Sequence, residues 1–124
     1  MKITFDLWSA DEIIQSYIDF VKSKNSKEIY INYFSEKYGF KETMQGKLDI
    51  NDQRLKDLPK KIQYLETSHQ LELFQKNLKI EFKLRLVKDS DSEFRDYVEL
   101  IYDDSLKKEV YNHFKEFEPK ASSD

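Results

Sequence analysis

The sequence contains no cysteine. This absence excludes disulfide frameworks, thiolate nucleophiles and cysteine-ligated zinc sites, and it is typical of a reducing compartment. No stretch approaches the ~20 apolar residues that a membrane span needs, and Asp6 and Asp11 precede any apolar run of signal-peptide length. We therefore expect a cytoplasmic protein with no membrane contact.

Glycine is nearly as scarce, since Gly39 and Gly46 are the only two in the sequence. Two isolated glycines cannot form a phosphate-cradling loop, a dinucleotide-binding fingerprint or a nucleophile elbow. Most cofactor enzymes carry such a signature, so we expect no cofactor, no catalytic residues and no enzyme activity.

Histidine occurs only at His69 and His113, too few for a histidine-based zinc cluster, and we expect no metal site. His113 lies on the apolar stripe of a predicted helix. His69 follows Ser68 directly, which aims the pair wrongly for a proton relay, and no third group is evident. Both histidines are predicted to have structural roles.

Charged residues make up 36% of the sequence and the net charge is −3, which lowers the expectation of nucleic-acid binding. Hydrophobic residues account for 39% and aromatic residues for 15%, so the apolar content is concentrated in large side chains and favours a folded chain. Length predicts a single α+β domain over 1–118, followed by a frayed polar tail over 119–124. The scarcity of alanine beside abundant lysine, isoleucine and asparagine indicates an AT-rich gene, as in a low-GC bacterium or a mobile element.

The N-terminal half shows both structural periods. Residues 2–8 alternate as a half-buried strand does, and Ser9 with Glu12 forms the pattern of a capping box that opens a helix. A second helix is predicted over about 27–38, because four aromatic residues share one helical face and Gly39 stands where a C-terminal cap is needed. Residues 41–60 are predicted to be a loop with at most one short helical turn. The four aromatic residues are Tyr30, Tyr33, Phe34 and Tyr38.

The C-terminal half predicts strands near 61–66, 70–74 and 79–88, a further strand ending at Tyr102, and a helix that ends before Pro119. The predicted fold class is α+β. It consists of an antiparallel β-meander over about 70–102, an N-terminal strand, two N-terminal helices and a C-terminal helix packed on one face.

The hairpin after strand 79–88 has a register that the side chains define. A five-residue loop, 89–93, sets Leu84 opposite Val98 and Phe82 opposite Leu100, whereas a loop shorter by one would place apolar residues opposite polar ones. The same register sets Lys83 opposite Glu99 and Arg85 opposite Tyr97. The loop before this strand is predicted to set Leu73 opposite Ile80 and Leu71 opposite Phe82.

The outward side of these strands is the candidate binding surface. Its charges largely pair with one another, but Tyr97 and Ile101 add apolar bulk where water is expected, and Trp8 lies on the outward side of its own strand. The candidate binding residues are Trp8, Lys83, Arg85, Arg95, Tyr97, Glu99 and Ile101. We expect a protein-binding module of the inhibitor or immunity type, monomeric or homodimeric, that neutralises a partner such as a basic toxin or nuclease.

Four other interpretations were considered. A dimeric binder resembling a secretion chaperone fits the same composition. Glu81 and Lys83 have the acid-x-lysine spacing of metal-dependent nucleases. A nucleic-acid interface would use the lysines of the two predicted N-terminal helices. The loop after strand 79–88 starts like a calcium loop but has Phe94 where glycine is required, so a turn is favoured. The lysines of the nucleic-acid interpretation are Lys22, Lys24, Lys27, Lys37 and Lys41.

Overall fold

The computed structural model describes residues 1–62, 68–87 and 96–117, together with the backbone of 119–122. Within these residues it confirms a mixed α+β fold, in which an antiparallel sheet of seven strands packs with three helices. In chain order the elements are β1 (Lys2–Phe5), α1 (Ala10–Ser23), β2 (Glu28–Lys37), β3 (Phe40–Asp49), α2 (Gln53–Ile62), β4 (Ser68–Gln75), β5 (Ile80–Leu86), β6 (Tyr97–Ile101), α3 (Lys107–Phe114) and β7 (Pro119–Ser122).

The strands follow the order β3-β2-β4-β5-β6-β1-β7 across the sheet. The three central strands β4, β5 and β6 are consecutive in the chain and form the predicted meander. Strands β2 and β3 form a long hairpin beside it, and α2 connects β3 to β4. The first strand lies on the far side, between β6 and β7.

One buried cluster joins the helices to a single face of the sheet. Along β5, Ile80, Phe82, Leu84 and Leu86 are buried while the residues between them are partly exposed. This alternation is the mark of a sheet that is covered on one side. Helix α1 contacts both α2 and α3, so it lies centrally on the covered face.

The predicted second N-terminal helix is wrong, because residues 28–37 form β2. The buried residues of this strand are Ile29, Ile31, Tyr33 and Ser35, which have a period of two. Rings on both faces of the strand produced spacings of three and four that imitate a helical stripe. Gly39 is not a helix cap but half of the turn between β2 and β3, where Tyr38 and Gly39 both have positive φ.

The segment predicted as a loop over 41–60 contains β3 and α2. Helix α2 is short, and it buries Leu55, Leu58 and Ile62 at helical spacing although Pro59 lies inside it. Because α2 ends at Ile62, Lys61 and Ile62 are helical rather than part of the predicted strand near 61–66. The rest of that prediction lies outside the described residues.

Three smaller differences concern the ends of elements. Strand β1 stops at Phe5, and Asp6 accepts a hydrogen bond from the Trp8 amide at 3.1 Å to cap a short 3₁₀ turn. Ser9 makes no side-chain capping bond, so the predicted capping box is not formed. The backbone of 119–122, expected to be a frayed tail, pairs with β1.

The two hairpins of the meander differ in how well their register was predicted. Between β5 and β6 the register is the predicted one, with Leu84 opposite Val98 and Phe82 opposite Leu100. Between β4 and β5 it is shifted by two residues, since Leu73 lies opposite Phe82 rather than Ile80. A shift of two leaves every side chain on its predicted face, so burial alone does not distinguish the alternatives. The observed turn places Lys79 at φ 54° and closes at Gln75.

No helix in the described part of the chain is long and apolar enough to cross a membrane.

Candidate functional site

The side of the sheet opposite the helices is called the open face. No described element packs on it, and its side chains stand in rows because residues opposite one another on neighbouring strands point the same way. The first row runs Lys47, Tyr30, Phe74, Glu81, Ile101, Lys2. The second runs Gln45, Asn32, Glu72, Lys83, Glu99, Thr4. The third runs Thr43, Phe34, Gln70, Arg85, Tyr97.

The middle row carries alternating charge. Lys83 lies between Glu72 and Glu99 in register, as predicted for Glu99, but its ammonium lies 3.8 Å from Glu81 on its own strand. Glu99 instead forms an ion pair with Lys2 at 3.6 Å. Half-exposed pairs of this kind contribute little to stability, about 0–1 kcal/mol each. The row holds two carboxylates and one ammonium group, and these charges can rearrange at small cost when another surface approaches.

Aromatic rings flank the charged row on both sides. Tyr30 is 39% exposed, and Phe34, Phe74 and Tyr97 are partly exposed. Rings offer large contact areas and lose little conformational entropy when they become buried, which makes them frequent hot spots of protein interfaces. The open face thus combines rings and charges in the manner of a recognition surface.

A groove of about 750 Å³ continues the open face beyond the start of β2. Tyr30 and Phe74 form part of its wall, so it is contiguous with the first row. Lys27, Lys47 and Lys76 also line it, which gives this end of the face a positive potential. A recess at the end of a flat surface is suited to an anchoring side chain.

Five of the seven predicted binding residues come together on the open face: Lys83, Arg85, Tyr97, Glu99 and Ile101. Trp8 does not lie on the sheet, because it occupies the 3₁₀ turn after β1, where it is 78% exposed. Arg95 lies outside the described residues.

Sequence reasoning missed the rings of β2 and β4 on this face, namely Tyr30, Phe34 and Phe74. The signal that could have found the first two was present, since Ile29, Ile31 and the neighbouring rings enrich this segment in residues that favour strands. Assigning it to a helix turned these outward-facing rings into a predicted core stripe.

The two histidines have the structural surroundings expected of them. The Nε2 atom of His113 lies 2.8 Å from the Ser16 carbonyl oxygen, and its ring contacts Phe20 and Phe114. His69 is buried in β4, and its Nδ1 atom lies 3.1 Å from the Tyr33 hydroxyl.

The residues that the nuclease and nucleic-acid interpretations require are arranged less favourably for those functions. Glu81 and Lys83 contact each other on the open face, but within the described residues no group of three or more His, Asp or Glu side chains could hold a metal ion. The lysines proposed for nucleic-acid binding do not lie together on one surface. Because residues 28–37 are a strand, Lys27 and Lys37 lie roughly 33 Å apart at about 3.3 Å per residue.

Comparison of the chain with protein-family models, with curated proteins and with solved structures finds no match. The function must therefore be argued from the surface itself.

Proposed function

We propose that the protein is a binding module of the inhibitor or immunity type, which neutralises a partner protein by covering it with the open face. One observation carries this proposal. All three described helices belong to one side of the sheet, which leaves a broad opposite face where rings flank a row of alternating charges. The rings of this face match the aromatic enrichment of protein interfaces.

The chemistry of the face supports binding rather than catalysis. Its ionisable groups are spread along the rows and engage their neighbours, as Lys83 engages Glu81 and Lys2 engages Glu99. Catalysis requires a nucleophile or base held against a third group in a recess. Recognition of a flat surface requires charged and polar groups that are spread over a broad face, and the rows provide such groups.

The charges also restrict the partner. Its contact surface should present cations to Glu72 and Glu99 and carboxylates to Lys83 and Arg85. At the lysine-lined groove it should present an acidic side chain near Lys47 and Lys76. The net charge of −3 favours a basic partner at long range, while the groove selects an acidic anchor at contact.

The test is affinity capture from the native host with four forms of the full chain. The first is wild type, the second carries Lys47→Glu and Lys76→Glu in the groove, the third carries Lys56→Glu and Lys108→Glu on the helix side, and the fourth carries Tyr30→Ala. All five substituted positions are exposed, so folding should be retained. Mass spectrometry identifies the captured protein, and calorimetry with the purified partner measures the affinity.

We expect wild type and the helix-side variant to bind one partner equally, and the groove variant and Tyr30→Ala to bind it at least tenfold more weakly. The partner's own activity should fall when the wild-type chain is added. Equal affinity of all forms would contradict the proposed surface, and binding without loss of the partner's activity would contradict inhibition.

A further inference from the structure

A second recess lies on the helix side of the sheet, far from the groove, and it has a different construction. It encloses about 430 Å³ between the C-terminal end of α2 and the β2–β3 hairpin. This volume lies within the range of small-molecule sites, which occupy about 300–1,000 Å³. The open face makes no part of its floor, so its role is independent of the proposed function.

Three side chains with hydrogen-bonding groups lie at the floor of this pocket. Ser35 and His69 are both buried, and they lie opposite each other on β2 and β4. The buried ring of Tyr33 is stacked on that of His69, with centroids 6.0 Å apart and its hydroxyl 3.1 Å from Nδ1. Burial raises the pKa of the Tyr33 hydroxyl, which stays protonated at neutral pH. The floor therefore combines apolar surface with a few hydrogen-bonding groups.

The rim of the pocket is cationic. Lys37, Lys41, Lys60 and Lys61 line it, and Glu42 is the one carboxylate among the described lining residues. Lys61 pairs with Glu42 and also lies 6.0 Å from the centroid of the Tyr33 ring. Four ammonium groups against one carboxylate, in a chain whose net charge is negative, produce a local positive field directed at the pocket.

An aromatic ring stands at the entrance. Phe40 lines the pocket and is 81% exposed, an unusual state for a phenylalanine that has neighbours to pack against. Its place is fixed by the tight turn that pairs it with Lys37 across the hairpin. A flat ring of a ligand can stack on this side chain while an attached anionic group reaches the lysines.

We propose that this pocket binds a small phosphorylated molecule with a flat ring, of which a nucleoside monophosphate is the simplest probe. Lys37 and Lys60 hold the phosphate oxygens at the rim, the floor formed by Ser35 and His69 faces the remainder of the ligand, and Phe40 stacks against its ring. Lysine ammonium groups are common phosphate ligands, because each is a compact charge with three donors.

The experiment is a titration of the isotope-labelled full chain, followed by the amide resonances of the pocket residues. The probes are the four common nucleoside monophosphates, ribose 5-phosphate, and adenosine. We expect at least one monophosphate to shift the pocket amides saturably, and adenosine to leave them unchanged. Ribose 5-phosphate should bind more weakly than that nucleotide.

Three variants make the result specific. Replacing both Lys37 and Lys60 with glutamine should weaken nucleotide binding about tenfold or more, because both charged donors to the phosphate are lost. Phe40→Ser should weaken nucleotide binding and leave that of ribose 5-phosphate unchanged. The matched control, Lys47→Gln with Lys76→Gln, removes the same charge from the groove and should have no effect.

Two outcomes overturn the proposal. The absence of saturable shifts with every monophosphate would exclude this ligand class. Equal weakening by the pocket and the control variants would mean that the shifts report only diffuse counterion attraction.

Discussion

The hydroxyl oxygen of Tyr17 lies 2.8 Å from the carbonyl oxygen of Ile80 and 3.3 Å from that of Leu73. Tyr17 is fully buried on α1, and the two carbonyls belong to β5 and β4. One side chain thus ties the central helix to the hairpin at the middle of the sheet. Its ring also packs 6.1 Å from that of Phe82, so the contact combines apolar burial with a directed hydrogen bond.

Replacing Tyr17 with phenylalanine should keep the ring and remove the hydrogen bond. We expect the free energy of unfolding to fall by about 1–3 kcal/mol, because a buried carbonyl loses its partner. Burial also raises the pKa of this hydroxyl strongly, so its stabilising effect is complete below pH ~10, the unfolded value, and is lost as pH rises above it. Denaturant unfolding from pH 8 to 11 measures both effects. If wild type loses no more stability than Tyr17→Phe between pH 8 and 11, the pH dependence does not come from the Tyr17 hydroxyl.

Asp52 begins helix α2 by accepting hydrogen bonds from the Arg54 amide at 2.9 Å and from the Arg54 guanidinium at 3.0 Å. Both bonds lower the pKa of Asp52, the side-chain bond having the larger effect, and together they bring it to about 2. Asp52→Ala should lower the midpoint of thermal unfolding at pH 7 through loss of the cap. Because the folded pKa is depressed, the benefit is present above the unfolded value of ~3.9 and disappears as pH falls toward 2.

Scanning calorimetry of wild type, Asp52→Ala and Asp52→Asn between pH 7 and 2 checks this prediction. Asparagine retains an acceptor for the Arg54 amide but carries no charge, so it should be intermediate at pH 7 and should show no corresponding change with pH. A difference between wild type and Asp52→Ala that stays constant down to pH 2 would exclude ionisation as its cause.

Tyr38 occupies a left-handed conformation, φ 52°, at the tip of the β2–β3 hairpin, and it is 85% exposed. Asparagine adopts this conformation far more readily, and Asn-Gly is the preferred pair for a two-residue hairpin turn. Tyr38→Asn should therefore raise the free energy of unfolding by about 1 kcal/mol. Chemical denaturation measures this change, and Gly39→Ala, at φ 81°, should shift stability in the opposite direction. A destabilised Tyr38→Asn would show that the exposed ring contributes to the fold.

The alternating row of the open face makes a prediction about stability as well as about binding. Lys83→Glu would place three carboxylates side by side, with Glu72 and Glu99 on either side of the new residue. We expect a loss of about 0.5–2 kcal/mol, from two like-charged cross-strand pairs. Adding Glu72→Lys should recover part of it, and a double-mutant cycle at low and high salt measures the coupling. Additive effects of the two changes would show that the row does not act through charge.

The sequence predicted best where burial is confined to one face. In β5 and β6 the apolar residues alternate strictly, so a single register satisfies both strands and the observed pairing of Leu84 with Val98 follows. In β2 the same logic failed, because Tyr30 and Phe34 are apolar residues on the open face. A strand with rings on both faces has no clear alternation, and its spacing of three and four then imitates a helix.

The sequence predicted only the part of the candidate surface that β5 and β6 form. Lys83, Arg85, Tyr97 and Glu99 were placed correctly relative to one another because they depend on a register that the core determines. Their neighbours on β2 could not be placed, since the pairing of β2 with β4 spans the intervening helix α2. The pocket beneath the β2–β3 hairpin was likewise out of reach, because Lys60 of α2 and Lys37 of β2 line one recess only through tertiary structure.

The position of β1 inside the sheet has a consequence for the order of folding. Phe5 pairs with Val98, so more than ninety further residues must be synthesised after β1 before its partner exists. At about 5–20 residues per second this is an interval of several seconds, during which the apolar side of β1 has no sheet to join. Contacts of such sequence separation are also slow to form once the chain is complete. Strand β1 precedes the other described strands in the chain but is consequently among the last to be paired, and any nascent fragment that ends before β6 leaves it without its neighbour.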